Sequence, residues 1–124
     1  MQYLMTINID ETLIDKLPTA EYDELMRGCL AHADELRRDG KLLGSQQLEQ
    51  PATAKTLRVR NGKTQIVDGP FAETKELLAG FNLLHADSID EAMRIAQQFP
   101  WARFGSVEVR PVHDMDAERR RVGA

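Results

Sequence analysis

Two residues of this chain have the types needed for acid–base chemistry, His32 and Asp68. A histidine titrates near neutrality, and one oriented by a carboxylate is a general base ready to act. Asp68 opens the stretch DGPFAETKE, residues 68–76. A carboxylate buried in a cleft is itself a base with a raised pKa. Gly69 and Pro70 beside it would let a ligand approach the backbone closely, and Phe71 would wall a pocket. Glu73 or Lys75 would face the same pocket and hold a polar or anionic group, with Tyr3 and Phe81 as further walls. If the segment stays extended, alternation sets Glu73 on the side of Phe71 and Thr74 and Glu76 opposite.

Each of these residues also suits a simpler role. Asp-Gly-Pro-Phe is turn chemistry: Asp caps its own backbone, Gly supplies positive φ, Pro fixes φ and Phe plugs the core. Glu73 to Glu76 is a charge run of the kind that covers a solvated face. His32 shares a helical stripe with Leu25, Cys29 and Leu36, which suits a core or interface residue equally well. Trp101, after Pro100, reads as a plug at the end of a helix, or else as a pocket wall or dimer contact.

Other chemistries find less support. Cys29 is the single cysteine, so no internal disulfide or thiolate metal site forms, and it reads as a small core residue. His85, Asp87, His113 and Asp114 follow no metal-ligand spacing, and no metal is expected. No glycine-rich phosphate loop and no nucleophile elbow is present, so no cofactor is expected.

The elements that must position these residues are legible from periodicity. Residues 3–9 alternate as a first strand. Pro18-Thr19 opens a helix with Thr19 as its N-cap, and Tyr22, Leu25, Met26, Cys29, Ala33 and Leu36 form its inward face. Arg37, Arg38 and Gly40 end it. KLLGSQQL follows as a strand and stops at Pro51. TLRVR and KTQIV flank Asn61-Gly62, a strong hairpin signal because a type I′ turn needs positive φ at both centres. Residues 77–86 form another strand, and Ser88 to Glu91 is a capping box for a helix with Ala92, Ile95, Ala96 and Phe99 inward. Residues 105–112 are the last strand.

This order, β-α-β, hairpin, β-α-β, predicts an α+β ferredoxin-like sandwich: an antiparallel sheet with both helices on one face. The bare face is expected to meet a second copy, giving a homodimeric α+β barrel with two-fold symmetry. Residues 1–112 form the domain and 113–124 a polar, frayed tail. The 124 residues suffice for one core without staples, and apolar residues make up 42% of them. A net charge of −4 gives direct nucleic-acid binding no electrostatic support. The N-terminus has no signal-peptide pattern and no stretch approaches a membrane span, so a cytoplasmic protein with no membrane contact is expected.

Several segments together resemble a known family. They are MQYLMTI, ELRRDGKLLG, VRNGKTQIVDGPFAETKELLAGFNLL, SIDEAMRIAQQFP and GSVEVRPV, across residues 1–112. They resemble the DGPF-motif branch of the YCII-related proteins. The resemblance implies the dimeric α+β barrel and association with extracytoplasmic-function sigma factors. The wider family carries a His/Asp pair. Its aspartate falls on Asp68, while Cys29 stands at the histidine's place and His32 lies one helical turn further on.

Two functions follow as expectations. In the first, the chain is a small cofactor-free dimeric enzyme that uses Asp68 and His32 for proton abstraction or elimination on a small polar organic substrate. In the second, it is a non-catalytic small-molecule-binding or regulatory protein associated with a sigma factor. Asp68 and His32 within hydrogen-bond reach of each other favour the first; His32 buried away from Asp68 favours the second.

Overall fold

A computed structural model describes residues 1–72 and 74–124; Glu73 lies outside the described residues. The chain runs β1 (Gln2–Ile9), α1 (Glu11–Ile14), α2 (Thr19–Arg38), β2 (Leu42–Gln47), β3 (Lys55–Arg60), β4 (Lys63–Asp68), β5 (Leu77–His85), α3 (Ile89–Gln97), β6 (Gly105–Pro111) and α4 (Met115–Val122). Four strands form an antiparallel sheet in the order β2-β5-β1-β6, and β3 and β4 pair separately. This is the ferredoxin-like order, with the hairpin inserted between the two β-α-β halves.

Alternation along β1 decides which face is buried. Tyr3, Met5 and Ile9 point toward the helices and are buried; Leu4, Thr6 and Asn8 point away and are partly covered. Register carries the two faces across the sheet. Met5 pairs with Asn82 and Val109 on the helix side, and Thr6 pairs with Phe81 and Glu108 on the other. Ala33 and Leu36 of α2 and Ala92, Ile95 and Ala96 of α3 close over the helix side. Lys41, at the entry to β2, donates to Glu91 of α3 at 2.9 Å and ties the two halves together.

The helix ends follow their local chemistry, with some differences from expectation. Ser88 caps α3 by accepting from the Glu91 amide at 3.1 Å, while Glu91 accepts from Asp87 N rather than closing back on Ser88. Thr19 does not cap α2; Pro18 occupies the cap position, and its rigid φ starts the helix without a side-chain bond. Residues 113–124 are not frayed. Asp114 accepts from the amides of Asp116 and Ala117, and Gly123 closes α4 in the left-handed conformation. The short α1 escaped periodicity because four residues hold no repeat; its signal is the Asp10 cap, which accepts from Thr12 N.

Gly28 lies mid-way along α2, exposed, and an added Cβ there would meet nothing within 4 Å. Gly28→Ala is expected to stabilise the protein by about 0.5–1 kcal/mol, because glycine loses more backbone entropy than alanine in a helix. Urea denaturation checks this; a loss of stability would mean that the position is not a free helix surface.

Candidate functional site

The hairpin carries Asp68 outward. Asn61 and Gly62 both have positive φ, as the Asn-Gly signal requires. The six paired positions run from Lys55 opposite Asp68 to Arg60 opposite Lys63. Asp68 ends β4 with its side chain 85% exposed and ion-paired to Lys55 at 2.9 Å. It therefore caps no turn of its own. Gly69 takes φ +99°, and its amide donates to Ala54 O at 2.7 Å. Thr56 Oγ1 donates to the Gly69 carbonyl, and Arg58 donates to the Phe71 carbonyl. Pro70 is half-buried, but Phe71 is 78% exposed and does not plug the core.

The backbone bends at Phe71, Ala72, Lys75 and Glu76, so these described residues are not extended, which was the condition for the alternation. Thr74 Oγ1 donates to the Glu76 carbonyl at 2.7 Å. Lys75 reaches the carboxylate of Asp10 at 3.6 Å. Asp10 is buried at the end of β1 and also accepts from Thr12 Oγ1 at 2.7 Å. The Thr12 hydrogen bond holds its carboxyl below the ordinary range, opposed by burial and helped by the Thr12 amide and Lys75. Sequence reading passed over Asp10, whose signal is its position as a cap just after a strand.

A depressed carboxyl stabilises the fold above its unfolded pKa and loses that contribution as pH falls through its folded value. The melting-temperature gap between wild type and Asp10→Asn is therefore expected at neutral pH. It should close as pH drops below the ordinary aspartate value of 3.8. Melting curves across acid pH check this; a gap that widens on acidification would contradict it.

His32 sits elsewhere. Its ring meets Phe99 edge-on at 5.2 Å, and Nδ1 lies 3.9 Å from Glu35. Nε2 is buried and finds no hydrogen-bond partner among the described residues. Asp68 and His32 are not hydrogen-bonded to each other within the chain; the aspartate's partner is Lys55. Tyr3 is buried in the core, with its hydroxyl toward Met1 Sδ at 3.8 Å.

A shallow hollow runs along Glu21, Leu25 and Gly28 of α2 toward Pro100 and Phe104, and a deeper one lies between α2 and the sheet. A cavity of about 320 Å³ opens there. Tyr22, Met26, Cys29 and Ala33 of α2 form one wall, Phe99 and Trp101 close another, and Ile7, Ile9, Gly80 and Asn82 belong to the floor. Phe81 borders the floor, although its pairing with Thr6 and Gln46 sets its side chain on the helix-free face. The bend at Pro100 makes the aromatic wall. Phe99 precedes proline and is extended, which ends α3 and turns the chain so that Phe99 and Trp101 both face inward. Trp101 packs against Tyr22 and Phe104, each at 6.4 Å between ring centroids.

Burial pushes the Cys29 thiol up, against a smaller opposing pull from a Trp101 hydrogen bond. The thiol is protonated at neutral pH and is no activated nucleophile. Asn82 is the polar group inside. It is 3% exposed, and its amide donates to Met5 Sδ at 3.5 Å. A polar residue amid the apolar run LLAGFNLL was its signal in the sequence.

Comparison with known proteins extends over nearly the whole chain. The profile of the YCII-related domain matches residues 1–116. An uncharacterized protein of Rhizobium meliloti (strain 1021) is 38% identical over 114 residues, covering 90% of this chain and 92% of its own. Among solved structures, 5-chloro-2-hydroxyhydroquinone dehydrochlorinase (TftG) from Burkholderia phenoliruptrix AC1100, in complex with 2,5-dihydroxybenzoquinone, aligns with a TM-score of 0.45. The identity is 16%, over 94% of this chain and 98% of that one, and at that distance it adds nothing about chemistry.

Proposed function

Because the chain belongs to the YCII-related family and has an open, largely apolar cavity beneath α2, we propose that it is a small-molecule-binding protein whose ligand enters between α2 and the sheet. The cavity is the observation that carries this reading. At about 320 Å³ it lies at the small end of ligand pockets, which run from about 300 to 1,000 Å³, and fits a molecule of one or two rings. Its walls are more apolar and aromatic than polar, with Asn82 as an internal polar contact and Ser45, Gln46 and three carboxylates also on the lining. The separation of His32 from Asp68 favours binding over acid–base catalysis within one protomer.

The test is a fragment panel followed by ligand-observed NMR on wild type and on Cys29→Phe, which fills the cavity from its α2 wall. Single-ring fragments are expected to bind wild type and to lose binding in the filled variant. Fragments that bind both alike would sink the reading. If the filled variant does not fold, amide shifts in wild type take its place, and shifts clustered outside the lining residues would overturn the assignment.

The helix-free sheet face supports a homodimer. Leu4, Leu78, Phe81 and Leu83 share that face with Thr6 and remain partly exposed or exposed in the single protomer. A regulatory role beside an extracytoplasmic-function sigma factor is supported by the resemblance to the DGPF-motif branch, carried by segments across residues 1–112, and copurification from native lysate checks it.

Acid–base catalysis is the second reading, favoured by the buried, unpartnered Nε2 of His32 behind the Phe99 wall. Asp68→Asn separates the two. It removes one member of an exposed pair, and such pairs contribute little. Melting temperature and ligand affinity are expected to stay unchanged. A turnover assay that loses its rate in this variant, with the fold intact, would give Asp68 a catalytic role instead.

A further inference from the structure

The ionisable side chains at the cavity have one sign. Among the described residues its charged lining is Glu11, Asp15 and Glu49, and no lysine, arginine or histidine is part of it. Lys16, next in sequence to Asp15, and Arg27, next to Met26, are not part of the lining, and Lys75, two residues before Leu77, is engaged with Asp10. Register fixes where the carboxylates stand. Glu11 and Asp15 follow the end of β1, where Ile9 pairs with Leu77. Glu49 follows the end of β2, beyond the pair Gln47–Gly80. All three belong to the end of the cavity where β5 begins. Asn82 lies at the other end, between Met5 and Ser45. From Leu77 to Asn82 the floor spans about 16 Å at roughly 3.3 Å per residue.

Asn82 is the polar group at the other end of the floor. An amide carries two donors and a carbonyl acceptor. Among the described residues its one hydrogen bond is the weak donation to Met5 Sδ, and its carbonyl accepts none. The carbonyl is not sealed in: among the described residues Nε2 of His32 is the buried side-chain atom left without a partner. Asn82 lines the cavity, so its carbonyl is open to a donor from a ligand.

We propose that the cavity selects an organic cation: a protonated amine on an apolar, aromatic body, with a hydroxyl or similar donor at its far end for Asn82. The inference rests on the cavity-binding reading above. Carboxylates of one sign at the mouth of a low-dielectric cleft raise the local concentration of cations and repel anions. Tyr22, Phe99 and Trp101 add ring faces, which attract ammonium groups and stack on an aromatic body.

Calorimetric titration with four matched compounds tests this: phenethylamine, tyramine, 2-phenylethanol and 3-phenylpropanoate. Phenethylamine is expected to bind at least about tenfold more tightly than the neutral alcohol, with the carboxylate weakest. Tyramine, which adds a phenol at the far end, is expected to bind more tightly still. Combining Glu11→Gln, Asp15→Asn and Glu49→Gln should abolish the preference for the amine while the alcohol still binds. Asn82→Leu should abolish tyramine's advantage over phenethylamine. If the alcohol or the carboxylate binds as well as the amine, or the preference survives loss of the three carboxylates, the cation inference is overturned while the cavity reading stands. If none of the four binds, both fall. Should Asn82→Leu not fold, the wild-type ranking decides alone, and phenethylamine equal to tyramine would refute the role of Asn82.

Discussion

Trp101→Ala is expected to destabilise the protein by about 3–5 kcal/mol, the range for removing a buried large aromatic. Trp101 is 8% exposed and joins three parts of the molecule: Tyr22 of α2, Phe104 at the entry to β6, and the cavity wall. The backbone of its aromatic neighbours is fixed, which limits collapse into the space. Tyr22 is held by α2, and Phe104 by its backbone, whose carbonyl accepts from Asp10 N at 2.8 Å. A domain of this size has a total stability of about 5–15 kcal/mol, so the variant keeps a fraction of it. It should also lose ligand affinity, because one aromatic wall is gone. Urea denaturation reads the first effect and calorimetry the second. A loss below about 1 kcal/mol would mean that Trp101 is a surface plug and the wall is built otherwise.

Gly105→Ala should do comparable damage for a different reason. Its backbone is extended, so conformation is not the obstacle. The added Cβ would overlap the Asn8 carbonyl and come within 3.0 Å of Ile9 Cα, both in the backbone of β1. Backbone in a paired strand has no rotamer to change. The β1–β6 pairing must open where Ile9 meets Gly105, beside the buried Asp10 and the end of the cavity floor. Overpacking a core costs about 1–3 kcal/mol when side chains can give way, and more when they cannot. We expect at least about 3 kcal/mol, or no soluble protein. Denaturation again decides, and a variant as stable as wild type would show that the two strands are not held at this distance.

The two substitutions probe parts of the fold with different legibility in the sequence. The strands and main helices follow from local rules: alternation in β1, the stripe from Tyr22 to Leu36, the Asn61-Gly62 turn and the Ser88 cap. Pro100 marked the end of α3, and Trp101 was legible as a plug or a wall, which is where it stands. The site was less legible. Asp68 and His32 have the right residue types, but their meeting depends on where a hairpin points, and spacing along the chain does not encode that. The hairpin pairs with itself and turns Asp68 to Lys55. The bend after Phe71 and the return of Lys75 to Asp10 join residues 65 positions apart, beyond the reach of any local pattern. Asn82 was passed over, although it is a polar residue in an apolar strand; register sets it beside the cavity. Helix α4 was hidden by its charge, since nothing on it is buried and its stability comes from its caps and the pair of Arg121 with Glu118.

Ligand binding in the cavity beneath α2 is the central claim, and Trp101 offers a direct reading of it. It is the chain's single tryptophan and lines the cavity. Its emission should change saturably as phenethylamine or another single-ring compound is titrated into the intact protein, and bound ligand should protect it from a soluble quencher. Emission and quenching that stay constant across such a panel, while the protein remains folded, would contradict the account.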